Sequence, residues 1–335
     1  MRYTQDMQWI RKHFLLLFAL LVIYAGFLFT HVWQSNRAVL GAKANLVLFE
    51  EPLAGKDPIL SLVGTAQQSI DITMYLLSDR EIIQSLLTAC GHGIRVRVLL
   101  EQHPFGGGNV NEQTMRLLSG SCVQVQWANP AFPLTHEKTI ILDERLVFIL
   151  DQNLTKSAFV KNREYNVFDS NPQDVFEAEK VFTADWNRTQ YQPGTSHLLI
   201  GPVNARSGIF SLLTSAQHTI QIESEVIGDP SVVHFLEEKA KTVTIEIIVP
   251  SFSQVRANSQ IAKQFLQHGI MVKTIKNPYM HAKLLLIDGR EAYIGSINLT
   301  TQSMDENREV GILIEQPDVI AQLQTSFLSD WDIAQ

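Results

Sequence analysis

Residues 136–143 read HEKTIILD and residues 281–288 read HAKLLLID, so both octapeptides follow the pattern H-x-K-x4-D. The two copies lie 145 residues apart. Further matches follow each copy at the same offset: Asn-Leu-Thr at 153–155 and 298–300, and Asn-Arg-Glu at 162–164 and 307–309. Because side chains alternate along a strand, the histidine and lysine of each copy point to one face. The repeated spacing predicts two copies of one unit, each carrying an imidazole beside an ammonium group.

A second similarity, upstream of these motifs, shows how far the repeat extends. Ile59–Ile72 (ILSLVGTAQQSIDI) matches Ile209–Ile222 (IFSLLTSAQHTIQI) at an offset of 150 residues. A period of this size is too long for a solenoid repeat and suits a whole domain. The sequence therefore predicts two fused domains, 45–190 and 196–335, joined by a polar linker near Asn187–Ser196 that contains Pro193 and Gly194.

Each half alternates strand-like and helix-like segments. Strands are predicted at Ile72–Leu77, Ile94–Leu100, Val123–Trp127, Lys138–Leu142, Leu146–Leu150 and Tyr165–Phe168, then at Thr219–Val226, Val243–Val249, Met271–Ile275, Lys283–Ile287, Ala292–Ile294 and Glu309–Ile314. Helices are predicted near Asp79–Cys90, Asn111–Ser119, Pro172–Trp186, Pro230–Ala240, Ser259–His268 and Pro317–Trp331. This alternation predicts the α/β class, as two α/β/α sandwich halves related by a pseudo-twofold axis.

The N-terminal segment has the pattern of a membrane anchor. Phe14–Asn36 contains no Asp, Glu, Lys or Arg, and an apolar run of about 20 residues spans a bilayer core. Arg11 and Lys12 precede it, so we expect residues 1–13 in the cytoplasm, a signal anchor at 14–33 and an exported catalytic domain in the cell membrane. Cleavage after the small-x-small stretch Ala42-Lys43-Ala44 is the alternative, although that stretch lies well beyond the apolar run.

Charge and cysteine content exclude several classes of protein. The chain has 27 Lys and Arg against 34 Asp and Glu, a net charge of −7. A protein that coats a polyanion has the opposite sign, so nucleic acid is a less favoured partner. Cys90 and Cys122 are the two cysteines, and no Cys/His cluster has zinc spacing, so no metal site is predicted. Whether these two cysteines pair is left open by the sequence.

If the halves pack about a pseudo-twofold axis, the repeated motifs predict one shared anion-binding site. Two imidazoles and two ammonium groups then surround one anion, and the lysines stabilise a negatively charged, phosphorane-like transition state. Asn153 and Asn298 add uncharged amide donors. Glu164 and Glu309 can accept a hydrogen bond from the far nitrogen of each histidine, which fixes its tautomer and raises its basicity.

These motifs resemble those of the phospholipase D superfamily, and the resemblance covers essentially all of residues 45–335. It implies cofactor-free and metal-independent cleavage of a phosphodiester in two steps. One histidine attacks phosphorus, and the other protonates the leaving alcohol and then activates water or an acceptor alcohol. By this resemblance His136 is the nucleophile and His281 the general acid.

The resemblance implies two sets of site residues. The catalytic set is His136, Lys138, Asp143, Glu164, His281, Lys283, Asp288 and Glu309, and the phosphate-binding set is Asn153, Ser296 and Asn298. Asp143 and Asp288 stand an odd number of positions from their histidines, so strand alternation aims them away from the anion and favours a structural role.

One position departs from the family pattern Gly-Ser-x-Asn. The second half has it in full at residues 295–298, whereas the first half reads Leu150-Asp151-Gln152-Asn153. An aspartate is electrostatically unfavourable beside a phosphate, so either Asp151 is protonated or it turns away and braces the loop. We expect a lopsided phosphate cradle that depends on Ser296.

The sequence predicts an enzyme, a membrane-anchored phosphodiesterase that hydrolyses glycerophospholipids in the manner of phospholipase D. A phosphatidyltransferase similar to cardiolipin synthase and an exported nuclease are the alternatives within the superfamily. A non-catalytic lipid-binding module is the alternative from another class. The expected partner is a phospholipid at a membrane, while the head group, the acceptor alcohol and the oligomeric state are not encoded in the motifs.

Overall fold

The computed structural model describes residues 46–335. The predicted cytoplasmic stretch 1–13 and the predicted anchor 14–33 therefore lie outside the described residues. Within residues 46–335, no helix combines the length and the apolar character that a membrane span needs. Leu46–Gln335 packs as one unit.

Strands and helices alternate through the first half of this unit. Its elements are β1 (Leu46–Glu51), α1 (Asp57–Val63), β2 (Ser69–Met74), α2 (Arg80–Gly91), β3 (Arg95–Leu100), α3 (Val110–Ser119), β4 (Gln124–Trp127), β5 (Lys138–Leu142), β6 (Leu146–Leu150), α4 (Lys156–Lys161), β7 (Asn162–Asp169) and α5 (Pro172–Asn187).

The second half repeats this order with one added short strand. Its elements are β8 (Leu198–Gly201), α6 (Ala205–Ser215), β9 (Thr219–Ser224), α7 (Pro230–Lys239), β10 (Thr244–Pro250), α8 (Ala257–Gln267), β11 (Met271–Ile275), β12 (Tyr279–Met280), β13 (Lys283–Ile287), β14 (Glu291–Gly295), α9 (Thr301–Asp305), β15 (Glu309–Ile314) and α10 (Pro317–Ile333).

The two halves form two sheets with the same topology. The first has the order β1-β7-β6-β5-β2-β3-β4, and the second, listed from the equivalent edge, has β8-β15-β14-β13-β9-β10-β11. In the order given, the last three strands of each sheet, β2-β3-β4 and β9-β10-β11, run parallel to one another. The remaining neighbours in each order pair antiparallel. The chain is therefore a mixed α/β protein with two sheets, as the sequence predicts at that level.

Three apolar cores hold these layers together. One core packs the outer helices of the first half against its sheet and contains Ile72, Leu86 and Val98. An equivalent core lies in the second half. The third draws residues from both sheets and from α5 and α10, including Phe182 and Phe327, which the sequence repeat had paired. This shared core buries the inner faces of both sheets together.

Local capping explains why equivalent helices begin at equivalent residues. Asp79 accepts hydrogen bonds from the backbone of Glu81 and Ile82 at the start of α2, and Asp229 does the same at the start of α7. Pro172 and Pro317 occupy the first turn of α5 and α10, where a missing N–H costs nothing. The predicted helix starts at these two prolines are confirmed.

The main differences from the prediction lie at sheet edges. The edge strands β1 and β8 and helices α1 and α6 were not predicted. The strand predicted at Ile72–Leu77 begins and ends three residues earlier, at Ser69–Met74. Its neighbours in the sheet pair with it no further than Met74, so the apolar residues beyond it pack outside the sheet.

Two buried ion pairs cross between the halves. Arg163 of β7 forms a bidentate pair with Asp330 of α10 at 2.6 and 2.8 Å, and Arg308 forms the equivalent pair with Asp185 of α5 at 2.7 and 3.2 Å. Strand pairing adds to this link, because Tyr279 and Met280 of β12 run parallel to the start of β7. The two halves are thus joined by two equivalent ion pairs and by the pairing of β12 with β7.

We expect Asp330→Ala and Asp185→Ala each to lower the free energy of unfolding by about 3–5 kcal/mol, because each leaves a buried guanidinium without its partner. Denaturant unfolding of the purified protein measures this. Asp332→Ala, in the same helix as Asp330 but exposed, is the control and should change stability by less than about 0.5 kcal/mol. Equal stability of Asp330→Ala and Asp332→Ala would contradict the bridging role.

Candidate active site

The two motif histidines lie immediately before central strands of the two sheets. His136 precedes β5 and His281 precedes β13 by two residues, and each strand begins with its motif lysine. Lys138 and Lys283 are buried, whereas 11% of each histidine side chain remains exposed. The strands KTIIL and KLLLI are buried along their whole length, so their first residues have fixed positions.

Each histidine is held by a glutamate from the other half. Nδ1 of His136 lies 2.9 Å from Glu309 Oε2, and Nδ1 of His281 lies 2.7 Å from Glu164 Oε2. Both glutamates are fully buried. Their second oxygens accept hydrogen bonds from Ser303 Oγ and Asn162 Nδ2, at 2.8 Å each. The predicted His–Glu pairing is present, and it crosses between the halves.

The surroundings of His136 suit a neutral imidazole. Lys138 Nζ lies 3.1 Å from Nε2 of His136 and 2.8 Å from its backbone oxygen. An ammonium group can only donate, so Nε2 presents its lone pair and Nδ1 carries the proton. Burial lowers the pKa of His136, and the negative charge of Glu309 does not offset this effect.

The surroundings of His281 suit an imidazolium. Its Nδ1 lies 2.7 Å from Glu164 Oε2, and its Nε2 lies 3.5 Å from Glu225 Oε2. Lys283 Nζ lies 3.1 Å from Nδ1 and 3.4 Å from Nε2, so each ring nitrogen has both a carboxylate and the lysine ammonium near it. Burial alone lowers the pKa of His281, but the charges of Glu164 and Glu225 outweigh it and raise the pKa above its usual value. The pKa values of the two histidines are therefore shifted in opposite directions although their motifs are equivalent.

The two lysines differ in the same direction. Burial and the nearby charge of Lys283 lower the pKa of Lys138 to about 8. For Lys283, burial acts against the charged form, but the carboxylates of Asp151 and Glu225 outweigh it and raise the pKa. Negative charge thus concentrates around the second motif.

Asp151 turns away from the open side of the site and braces the loop. It is fully buried, and its Oδ2 accepts hydrogen bonds from the backbone of Lys283 at 3.2 Å and Tyr165 at 3.4 Å. Its Oδ1 lies 3.2 Å from Lys283 Nζ. Burial raises the pKa of Asp151 to about 7, against the opposing charge of Lys283. Of the two alternatives that the sequence left open, the bracing role fits these contacts.

The hydroxyl of Ser296, which the sequence analysis assigned to the phosphate cradle, contacts the backbone in this structure. That side chain is fully buried, donates to the backbone oxygen of Val310 at 3.2 Å and accepts from its N–H at 3.1 Å. The group that faces His136 is the backbone oxygen of Ser296, 3.2 Å from Nδ1. These contacts support a structural role for the hydroxyl in the β14–β15 connection, and its predicted contact with phosphate stays a prediction.

The family resemblance placed Asp143 and Asp288 in the catalytic set. In the structure, both carboxylates bind backbone away from the histidines and lysines of the site. The Asp143 carboxylate accepts hydrogen bonds of 2.7–3.1 Å from three backbone N–H groups at the start of β2, those of Gln67, Gln68 and Ser69. Asp288 does the same at the start of β9, at 2.7–2.8 Å. Strand alternation and a turn place them at the far end of the strand, so their role is structural.

Asn153 and Asn298 follow β6 and β14 and are half-buried. Within the described part of the chain, their side-chain carbonyl oxygens are buried without a hydrogen-bond partner. Asp151, Glu164 and His281 place donor atoms within 4.8 Å of one another, a spacing compatible with a cation. The ammonium of Lys283 already lies among them, 3.2 Å from Asp151, so we assign no metal site to this cluster.

Three residues of the site were not identified from the sequence. Glu225 and Tyr279 lie on the His281 side, where Tyr279 donates a 2.7 Å hydrogen bond to Glu225. Tyr75 lies on the His136 side, with ring centroids 4.7 Å apart. The offset of 150 residues pairs Tyr75 with Glu225, so the internal alignment contained a signal for this difference. The structure also joins Cys90 and Cys122 in a disulfide bond, the point that the sequence left open.

Comparisons with known proteins place the chain in a family. The family model described as "Cardiolipin synthase, PLD-like domain" matches residues 59–186 and again 209–331. Cardiolipin synthase of Listeria welshimeri is 20% identical over 367 residues, covering 96% of this chain and 73% of that protein. Cardiolipin synthase 1 of Bacillus anthracis is 21% identical, covering 82% of this chain and 64% of that protein.

Two solved structures share the fold at low sequence identity. Phosphatidylserine synthase of Haemophilus influenzae has a TM-score of 0.64 at 13% identity, covering 84% of this chain and 86% of that one. Polyphosphate kinase of Porphyromonas gingivalis has a TM-score of 0.66 at 16% identity, covering 84% and 50%. Since the family model matches well over half of the residues, this chain belongs to the family of PLD-like, cardiolipin synthase domains within the phospholipase D superfamily.

Proposed function

We propose that this protein is a phosphatidyltransferase that moves a phosphatidyl group from one alcohol to another through a phosphohistidine on His136. The sequence alone placed hydrolysis first and a transferase similar to cardiolipin synthase second. The named relatives favour the second interpretation, so the order is reversed here. Hydrolysis is the same chemistry with water as the acceptor.

The observation that carries the proposal is the unequal charge around two equivalent histidines. Covalent catalysis needs an unprotonated nucleophile and a protonated acid in the same site. Both histidines have their motif lysine nearby, at 3.1 Å from Nε2 of His136 and at 3.1 and 3.4 Å from the two ring nitrogens of His281. His136 pairs with the carboxylate of Glu309, whereas His281 has Glu225 near it in addition to Glu164. These contacts support His136 as nucleophile and His281 as general acid.

In the first step, the phosphodiester of a phospholipid binds between Lys138 and Lys283. The phosphate oxygens accept the hydrogen bond that Lys138 Nζ otherwise donates to Nε2 of His136. The lone pair on Nε2 is then free to attack phosphorus. A P–N bond forms as the P–O bond to the head-group alcohol breaks. The Nε2 proton of His281 passes to the leaving oxygen, so the alcohol departs uncharged.

In the second step, His281 acts as a base because it has given up its proton. It takes the proton of an acceptor alcohol, whose oxygen attacks phosphorus as the P–N bond breaks. Both histidines then return to their starting states. The two lysines offset the negative charge of each transition state, and we assign the phosphate-facing amide donors to Asn153 and Asn298, as the family resemblance implies.

Two alternatives have less support. A nuclease would gain from positive charge, whereas residues 45–335 carry a net charge of −11. A non-catalytic lipid-binding module would not need both His–Lys pairs and both crossed glutamates, yet all six residues are in place.

We also propose that the catalytic unit is exported and tethered to the cell membrane by residues 14–33. The apolar run and the preceding Arg11 and Lys12 support this orientation. The Cys90–Cys122 disulfide supports it independently, because disulfides persist in oxidising compartments.

Purified protein incubated with phosphatidylglycerol vesicles should release glycerol and form a lipid with two phosphatidyl groups. His136→Asn and His281→Asn should each reduce turnover by at least about a hundredfold, because each removes an essential group. Chelators should have no effect on the wild type. If phosphatidic acid is the main product, the protein is a hydrolase and the proposal is wrong. If it cleaves single-stranded DNA and does not turn over lipid, it is a nuclease.

The phosphate contacts can be tested with neighbouring residues of one loop. Asn298→Ala should lower kcat/KM by a factor that corresponds to about 1.5–3 kcal/mol, the usual range for a hydrogen bond to a charged group. Ser296→Ala should instead lower stability by about 1–3 kcal/mol, because the Val310 N–H loses its buried acceptor. Vesicle assays and thermal unfolding of both variants separate the two effects. A large loss of kcat/KM in Ser296→Ala at unchanged stability would show that its hydroxyl contacts phosphate.

The proposed topology is tested by protease added outside spheroplasts. Residues beyond about 45 should be digested while an N-terminal tag stays intact, because the positive flank keeps residues 1–13 inside. Digestion of the tag alone would reverse the orientation. A soluble product that begins near Asn45 would show that the anchor is cleaved.

A further inference from the structure

One of the positions at which the pseudo-twofold relation between the halves fails lies directly beside a histidine. Tyr75 follows β2 and Glu225 follows β9, 150 residues later. The backbone oxygen of Tyr75 accepts a 2.6 Å hydrogen bond from Asn111 Nδ2, and that of Glu225 accepts a 2.8 Å bond from Asn258 Nδ2. The two backbones are therefore held alike, while one side chain is neutral and the other is charged.

Contacts of Glu225 place its charge beside the reactive nitrogen of His281. Oε2 lies 3.5 Å from His281 Nε2 and 3.8 Å from Lys283 Nζ, and Oε1 accepts a 2.7 Å hydrogen bond from Tyr279. The side chain is 24% exposed, so it borders the open part of the site. Residue 134, which precedes Tyr279 by 145 positions, is a leucine, so the first half has neither member of this pair.

We propose that Glu225 is the positioning residue that makes the two histidines unequal. Its carboxylate holds the proton on Nε2 of His281, which makes His281 the general acid and leaves the attack on phosphorus to His136. This inference rests on the proposed two-histidine reaction and adds the reason for its direction. Glu225 itself exchanges no proton in either step.

Other charged groups near His281 do not supply this difference. The titratable and charged groups that face it from the surrounding strands are Glu164, Lys283, Asp151, Tyr279, Glu225, and, across the site, His136 and Lys138. Glu164 and Lys283 have counterparts in Glu309 and Lys138, so their effects are matched in the first half. Asp151 has no charged counterpart either, and its carboxylate lies 3.2 Å from Lys283 Nζ and within 4.8 Å of a ring nitrogen of His281. Its ion pair is with Lys283, whereas Glu225 lies 3.5 Å from Nε2 of His281 itself.

Ionisation of Glu225 agrees with this geometry. Burial opposes its negative charge, but His281, Lys283 and the Tyr279 hydroxyl outweigh that effect and lower the pKa of Glu225 to about 2. The carboxylate is therefore charged throughout the working pH range. On the first half, the ring of Tyr75 meets His136 edge-on and adds no charge.

The test compares two leaving groups in Glu225→Gln. An alkyl alcohol leaves only when protonated, whereas nitrophenolate leaves without a proton. Turnover of phosphatidylglycerol should fall by about tenfold or more, in line with loss of general acid catalysis. Turnover of a nitrophenyl phosphodiester should change less than about twofold, because its leaving group needs no general acid. The basic limb of the kcat/KM profile for phosphatidylglycerol should move to lower pH, because His281 loses its proton more easily.

Glu225→Asp keeps the charge and should restore the basic limb toward that of the wild type. Glu237→Gln is the matched control, since Glu237 lies in the same half and bonds Gln264 on the outer helices. That variant should leave both substrates and the pH profile unchanged. An equal loss on both substrates in Glu225→Gln, or an unmoved basic limb, would overturn the proposal and indicate a structural role.

NMR titration of labelled histidines gives a readout that needs no lipid turnover. In the wild-type protein, the pKa of His281 should lie above that of His136, and Glu225→Gln should lower the first and leave the second in place. His136→Asn and His281→Asn assign the signals. If phosphatidylglycerol proves not to be a substrate but this shift occurs, the proposed function fails and the inference on Glu225 stands. Absence of the shift would overturn the inference whatever the substrate.

Discussion

A buried carboxylate of each half holds the histidine of the other, and the rest of the site depends on this exchange. Glu309 bonds His136 and Glu164 bonds His281, both fully inside the protein. A buried carboxylate is costly unless it is paired and hydrogen-bonded, so neither half is electrostatically complete alone. The same strands carry Arg163 and Arg308, whose pairs with Asp330 and Asp185 join the halves next to the site. Catalytic geometry and the union of the two halves thus share one set of contacts.

Symmetry brings the four motif side chains together, and departures from symmetry make them chemically distinct. A pair of histidines in identical surroundings would have no preference for which one attacks. Here Asp151 and Glu225 replace a serine and a tyrosine of the opposite half, and both concentrate negative charge around His281 and Lys283. The second motif therefore holds its proton more firmly than the first, although the two octapeptides share their pattern. The difference comes from positions outside the H-x-K-x4-D motif, with Glu225 beside His281 and Asp151 beside Lys283.

Sequence periodicity was sufficient for the two-domain architecture and for pairing the histidines with Glu164 and Glu309, but it did not predict that these pairs cross between the halves. Alternation along β5 and β13 predicted that each histidine and lysine share a face, and the repeated Asn-Arg-Glu predicted the acceptors of the histidine ring. It also indicated that Asp143 and Asp288 point away, where they bind backbone at the far strand ends. Edge strands β1 and β8 were missed because their apolar runs are short and lie close to turns.

The sequence pattern could not predict which way side chains point within the loops. Ser296 matches the family motif, but the pleat of β14 and the backbone of Val310 take up its hydroxyl, and no spacing rule reveals that. Glu225 was missed because its strand and its neighbour Tyr279 are far apart in the chain, and their contact exists only after folding. The predicted anchor lies outside the residues that the structure describes, so it stays a prediction.

The proposed reaction gives His136 and His281 fixed, different roles. These roles are tested by stopping the reaction milliseconds after mixing with substrate, digesting the protein under alkaline conditions and mapping the acid-labile phosphate by mass spectrometry. We expect phosphate on the peptide that contains His136 and none on the peptide that contains His281. Phosphate on His281, or an equal division between the two, would contradict it.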